Sequence, residues 1–309
     1  MRGEFMRIGI AGAGAVGSYF GAILHFAGHD VTFLARGKHF QAMKQAGLRM
    51  IKGEEEFLVD ATFTDKINEL SECELVLFCV KSNDTEEMAS QLKLVLPSNC
   101  LIVTMQNGVE NEQLLGTIFD HDRILSTAAY IQAAIDEPGK VTQKGRVKLV
   151  IGELHSSAKA SCLEINQLFQ AAGIDSVYAQ SIMENKWRKL IWNVTFNPLS
   201  AILNANVGEI LANEELRYTA SLICQEAIDV AERLKIELKN NQTVESVLRK
   251  AERAKKHHTS MLQDRRKGKP MEVEAMCGYI VRKGLEINVP TPNIQVVYSI
   301  LTYMDKSKH

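Results

Sequence analysis

The sequence predicts an α/β domain over residues 1–180 followed by an all-helical domain over residues 181–309. Three observations carry this reading. A chain of 309 residues, at roughly 150 residues per domain, has room for two cores. From Met6 to about Ala179, short β-branched and apolar runs alternate with helical stretches, the texture of βαβ units. After about Gln180 the strand signals stop and only helical periodicity remains.

Taken in order, Arg7–Ala11, Asp30–Leu34, Glu74–Val80 and Leu101–Met105 read as strands. Their apolar runs are continuous rather than alternating, which suits a parallel sheet covered on both faces. Val147–Ile151 and Ser176–Tyr178 read as late additions to that sheet. Helical periodicity then marks Ser181–Asn204, Asn213–Leu238, Thr243–Arg266, Glu272–Leu285 and Thr291–Asp305. Asn213 before Glu214 and Glu215 is an N-cap with an acidic first turn. Thr291-Pro292 places a capping hydroxyl before a proline at the first helical position. A cleft between two such domains is the default place for a ligand. Met1–Phe5 adds nothing to either domain on this reading.

Composition removes several classes of function. Apolar residues make up 46% and charged residues 24%, an ordinary globular balance. The 36 Lys and Arg against 37 Asp and Glu leave a net charge of −1. That balance argues against nucleic acid or a membrane surface as partner, since either needs a basic excess. No apolar run reaches the roughly 18 residues of a spanning helix, and no secretory pattern opens the chain, so a cytoplasmic protein is expected. Cysteines at 73, 79, 100, 162, 224 and 277 form no CxxC pair and no zinc spacing. They read as small buried hydrophobes, and no metal site is expected.

Gly12-Ala13-Gly14-Ala15-Val16-Gly17 is a GxGxxG between a strand and a helix, with a second strand starting at Asp30. In that context it is a dinucleotide fingerprint. Gly12 permits the tight turn, Gly14 lets a pyrophosphate approach the backbone, and Gly17 packs helix on strand. The fold class expected is therefore an α/β Rossmann-like N-terminal domain plus an all-α C-terminal domain. The second strand ends Leu34-Ala35-Arg36-Gly37-Lys38, with a guanidinium where NAD enzymes place a carboxylate. Arg36 thus favours the extra phosphate of NADP(H). Lys81, in Val80-Lys81-Ser82, and Asn107, in Gln106-Asn107-Gly108, follow the carboxyl ends of two further strands, where ligands collect.

In the helical half, Lys189, Asn193 and Asn197 lie at i, i+4 and i+8, on one helix face. They are either a solvated polar stripe opposite buried Trp187 and Trp192, or a proton-donating lysine with two amides that orient an oxygen-rich substrate. Thr259-Ser260-Met261-Leu262-Gln263-Asp264 precedes Glu272, with Ser260 and Glu272 twelve residues apart. Arg249–Lys269 carries nine basic residues against two acids, a local +7 that would attract a phosphate-rich cofactor and an acid substrate.

Together GAGAVG, LAR, VKS, QNG, KWRKLIWNVTFNPL and SMLQD followed by Glu272 are specific. From Met6 nearly to its end the chain resembles the ketopantoate reductases (2-dehydropantoate 2-reductases) of the wider 6-phosphogluconate dehydrogenase-like group. The resemblance implies NADPH-dependent reduction of 2-dehydropantoate to (R)-pantoate, on the route to pantothenate and coenzyme A. It implies that Lys189 gives the proton to the ketone oxygen, and that Asn107 helps place substrate and cofactor. Asn193, Asn197 and Ser260 would bind the substrate's carboxylate and hydroxyl. Glu272 would sit by the nicotinamide ribose and the lysine, with Lys81 and Arg36 serving the cofactor. An ordinary lysine pKa near 10.4 keeps the group charged at neutral pH. The sequence departs from the family at Val207 and His257, where many or some members carry asparagine. Both departures touch the substrate pocket.

Two other readings compete: a reductase of another branched 2-oxo acid on the same scaffold, and a non-catalytic NADP-binding redox sensor. Apolar positions such as Leu222, Ile223 and Ile228 serve either a core or a homodimer interface.

Overall fold

The computed structural model describes residues 5–238 and 242–306. All but Phe5 of the Met1–Phe5 leader lies outside them. The chain divides into two compact units, Met1–Gln106 with Asn111–Ile182, and Asn107–Glu110 with Met183–His309. Four residues of the N-terminal half thus belong to the second unit.

The first unit runs β1 (Arg7–Ala11), α1 (Ala15–Phe26), β2 (Asp30–Leu34), α2 (Gly37–Ala46), β3 (Leu48–Lys52), β4 (Glu55–Val59) and β5 (Thr62–Thr64). It continues β6 (Leu75–Phe78), α3 (Thr85–Val95), β7 (Leu101–Thr104), α4 (Asn111–Ile118), β8 (Ile124–Glu137), β9 (Lys140–Glu153), α5 (Lys159–Ala171) and β10 (Ser176–Tyr178). The sheet order is β4-β3-β9-β8-β7-β6-β1-β2-β5, with β10 beside β9. β5, β2, β1, β6, β7 and β8 are mutually parallel. The chain leaves β1 for β2 on one side and later reaches β6 on the other, and that reversal opens a crevice at their carboxyl ends.

Alternate strand residues enter different apolar clusters. Ile8, Ile10, Leu75, Leu77 and Val103 pack in one, and Ala11, Val76, Phe78 and Ile102 in another. Both faces of the central strands are therefore covered, and that is why their sequences read as unbroken apolar runs.

The first unit departs from the sequence reading in several places. The Val147–Ile151 strand is part of a much longer β9, antiparallel to an unforeseen β8. Their hairpin turns at Pro138-Gly139, with Gly139 at φ +78°. β3 and β4 form a second unforeseen hairpin around Gly53 at φ +64°. Phe5 is mostly exposed, yet its ring lies 2.9 Å from where a Cβ on Gly28 would stand, so it does touch the first unit.

The second unit is helical: α6 (Ile182–Leu203), α7 (Val207–Ala212), α8 (Glu214–Arg233), α9 (Val244–Glu252), α10 (Ser260–Arg266), α11 (Tyr279–Glu286) and α12 (Pro292–Lys306). Glu274–Gly278 forms a π-helical turn leading directly into α11. The Asn213 side chain caps α8 through the Leu216 amide, as its sequence predicts. The first-turn amides of Asn293 and Ile294 in α12 go to the Glu226 carboxylate of α8, a long-range cap no local pattern shows. The long helix expected over Thr243–Arg266 is broken. Its middle spends the carbonyls of Lys255 and His257 on the amides of Gly208 and Val207, and Thr259 caps a new helix through Leu262. Ile223 and Ile228 are buried in this unit's own core, which removes them from any homodimer interface. Among the described residues no helix is long and apolar enough to cross a membrane.

Candidate active site

The glycine loop is built from backbone. The amides of Gly12 and Ala13 donate to the Leu34 carbonyl at 3.2 and 2.9 Å, folding the loop over the end of β2. Gly12 has φ +93°, and a Cβ there would stand 2.8 Å from the Val80 nitrogen. A Cβ on Gly17 would meet the Gly12 carbonyl oxygen at 2.5 Å. Gly14 differs, because a Cβ there would meet nothing within 4 Å. It is the N-cap of α1, and no side chain caps the first-turn amides. Ala15 and Val16, both half-buried, carry those amides into the helix. Uncapped amides, a helix dipole and open space at Gly14 make an anion cradle, and they fit a dinucleotide pyrophosphate.

Arg36 occupies the N-cap position of α2, and its side chain is 84% exposed. Its Nη2 pairs with Asp84 Oδ2 at 2.6 Å, so it stands at the end of β2 held by a carboxylate from just before α3. Lys81 is exposed beyond the end of β6. Gln106, which the sequence reading passed over, is buried at the end of β7. Its Nε2 donates to the Val80 carbonyl at 3.0 Å and to Thr85 Oγ1 at 2.7 Å, tying together two strand ends of the crevice.

The remaining candidates lie in the second unit. Lys189, Asn193 and Asn197 fall on one face of α6, and that face is not the solvated stripe considered above. Asn193 and Asn197 are buried, and Lys189 is half-buried. Asn197 Nδ2 donates to Met276 Sδ at 3.5 Å, a weak acceptor, while its Oδ1 is buried with no partner. A buried amide oxygen left so costs about 1–3 kcal/mol, the kind of cost a substrate hydroxyl would relieve.

The lysine is not the ordinary one assumed from sequence. Burial, and then the charge of Lys186 one turn earlier, push its pKa down to about 8, against the opposing pull of Glu272. Lys186 itself is 3% exposed, a buried cation no motif had singled out. Glu272 is also buried, and Asn107 Nδ2 donates to its Oε2 at 3.4 Å. Lys189, Glu272 and Asn107 therefore form one coupled group. Ser260 opens α10 and is exposed.

Val207 and His257, the two positions expected to depart from the family pattern, are neighbours. Val207 is fully buried, and its amide donates to the His257 carbonyl at 3.2 Å. The His257 ring stands edge-on to Trp192, centroids 5.4 Å apart, and burial lowers its pKa.

Comparison with known proteins gives the chain a family. Residues 8–156 match the family described as ketopantoate reductase PanE/ApbA, and residues 181–305 match its C-terminal part. A 2-dehydropantoate 2-reductase of Archaeoglobus fulgidus is 31% identical, with 92% of each chain covered. Among solved structures, a PanE/ApbA family ketopantoate reductase from Ralstonia eutropha superposes with a TM-score of 0.91 at 30% identity, covering 98% of this chain and 99% of that one. A D-mandelate dehydrogenase solved with NADH and anilino(oxo)acetate does so equally well, TM-score 0.91, at 25% identity over 98% and 99%. With nearly the whole chain accounted for on both measures, this protein belongs to the ketopantoate reductase family and is an NADP-dependent oxidoreductase.

Proposed function

We propose that the protein reduces 2-dehydropantoate to (R)-pantoate with NADPH, a step towards pantothenate and coenzyme A. The observation that carries the reading is the coupled group of Lys189, Glu272 and Asn107 in the helical unit. Bound NADPH supplies a hydride to the substrate's keto carbon. The chain's own residues do the rest. The glycine loop, Gly12 to Gly17, holds the pyrophosphate on the first amides of α1, and Arg36 and Lys81 take the remaining phosphate charge. As the keto oxygen gains negative charge, the Lys189 ammonium stabilises it and then gives up its proton. Burial and Lys186 make that proton more acidic than in water, while Glu272 keeps the group charged until it is needed. Asn193, Asn197 and Ser260 hold the substrate's carboxylate and hydroxyl, and Asn107 orients substrate and cofactor together.

The test is oxidation of NADPH by the purified protein with 2-dehydropantoate, with NADH and pyruvate in parallel. Rapid turnover with NADPH and 2-dehydropantoate alone is expected, and Arg36→Asp should weaken NADPH far more than NADH. Binding of NADPH with no turnover of any 2-oxo acid would overturn the reading.

A second reading, reduction of another branched or aromatic 2-oxo acid, rests on Val207 and the His257–Trp192 pair, which are less polar than the family pattern. A 2-oxo acid with an aromatic side chain, preferred over 2-dehydropantoate in kcat/KM, would select it.

A further inference from the structure

The four residues Asn107–Glu110 belong to the helical unit although both flanks belong to the other. Their attachment is specific. Gly108 has φ +83°, and a Cβ on it would stand 2.8 Å from the Ala275 carbonyl oxygen, so the loop backbone rests directly on the π-helical turn. Two residues further, Glu110 Oε2 accepts from Arg282 Nη2 at 2.8 Å. The same guanidinium donates through Nη1 to Glu274 Oε2 at 2.8 Å, and Tyr298 donates to Glu274 Oε1 at 2.7 Å. Gly278 makes the space: a Cβ there would lie 2.5 Å from Glu274 Oε2 and 3.0 Å from Arg282 Nη1. Glu274 sits two residues after Glu272, so the network grips both sides of the Asn107–Glu272 hydrogen bond.

We propose that Arg282 is a positioning residue, whose bridge from Glu110 to Glu274 sets the separation of Asn107 and Glu272 and so the rate of the chemical step. The bridging side chains are about half exposed, at 45% for Glu110, 47% for Arg282 and 52% for Glu274. Ion pairs so exposed add little to stability. Their effect is therefore read in geometry, where a misplacement of about 1 Å costs up to a hundredfold in rate. A π turn is a frequent companion of functional sites because it re-aims the residues beside it. Here Glu272 stands two residues before the turn, and Gly108 rests on it.

The inference rests on the role given to Asn107 above, and the experiment separates the two. The full chain is assayed with NADPH and 2-dehydropantoate as wild type, Arg282→Gln, Glu110→Gln, Asn107→Ala and Arg282→Gln with Asn107→Ala. Arg282→Gln and Glu110→Gln should each lower kcat about tenfold, with KM for NADPH and the melting temperature near wild type. Arg282→Lys, which keeps the charge but not the fork, should recover part of the loss. In the Asn107→Ala background, Arg282→Gln should change kcat by less than about twofold, because the residue it positions is gone. Wild-type kcat in both single bridge variants, or an undiminished Arg282→Gln loss in the Asn107→Ala background, would overturn the bridge. A wild-type kcat for Asn107→Ala would instead fault the role given to Asn107, and with it the route by which Arg282 acts.

Discussion

A lysine that hands over a proton near neutral pH needs an ammonium less tightly protonated than in water, and Lys189 has one. Its pKa of about 8 leaves it charged at pH 7, the state in which the proposed proton donor would start. The rate of reduction, read as kcat/KM, should fall as pH rises through about 8, which a pH profile checks directly. Lys186→Gln removes a like charge and should move that limb to higher pH. Lys189→Ala should lower kcat/KM at least about a hundredfold with NADPH binding intact. The same shift bears on stability. The folded pKa lies below the unfolded value of 10.5, so between about pH 8 and 10.5 the unfolded chain binds more protons and stability rises with pH. Below about pH 8 the cost of the buried charge is present in full, so Lys189→Met should raise the melting temperature at pH 7 while removing turnover. Lys189 and its helix face were legible in the sequence because Asn193 and Asn197 repeat at its spacing. Lys186 was not, because a second lysine in a basic stretch reads as solvated until its burial is seen.

At the scale of elements, the three glycines of the loop were legible by role, and the structure separates those roles by space. Gly14→Ala meets no neighbour within 4 Å, so it should leave the melting temperature unchanged and weaken NADPH binding through the methyl's approach to the pyrophosphate. Gly17→Ala drives a Cβ onto the Gly12 carbonyl and should lower the melting temperature by several degrees. Thermal unfolding with and without NADPH distinguishes the two. Strands that are unbroken apolar runs were read correctly to within two residues. β8 was missed because Ala128, Ala129, Ala133 and Ala134 dilute the few β-branched and aromatic residues of its Thr127–Ala134 segment. The capping box at Asn206 and Glu209 that starts α7 was visible in the sequence and went unread. The break after α9 and the π turn after Glu272 depend on partners distant in sequence, and no local pattern encodes them.

At the scale of the whole chain, each unit has its own core, so heating need not melt both in one step. On the proposed assignment, NADPH held by the glycine loop would stabilise the unit that binds it, by about 2.7 kcal/mol at a hundred times its Kd. Calorimetry with saturating NADPH should therefore raise a transition of the first unit. A shift confined to the helical unit would contradict the assignment of the loop. The sequence texture alone placed one boundary near residue 180, since strand signals end there. It gave no hint of the excursion at Asn107–Glu110, because four residues are too few to carry any periodicity. That excursion has a consequence for anyone cutting or grafting the gene. Val109, 1% exposed, is part of the helical unit's own core. A fragment beginning at Met183 would lack that side chain and the Glu110 end of the Arg282 bridge. A chimaera joining this N-terminal half to a relative's helical half at a single junction would bring this chain's loop to a socket shaped for another. The two halves can be exchanged cleanly only as interleaved pieces, with residues 107–110 travelling alongside the C-terminal half.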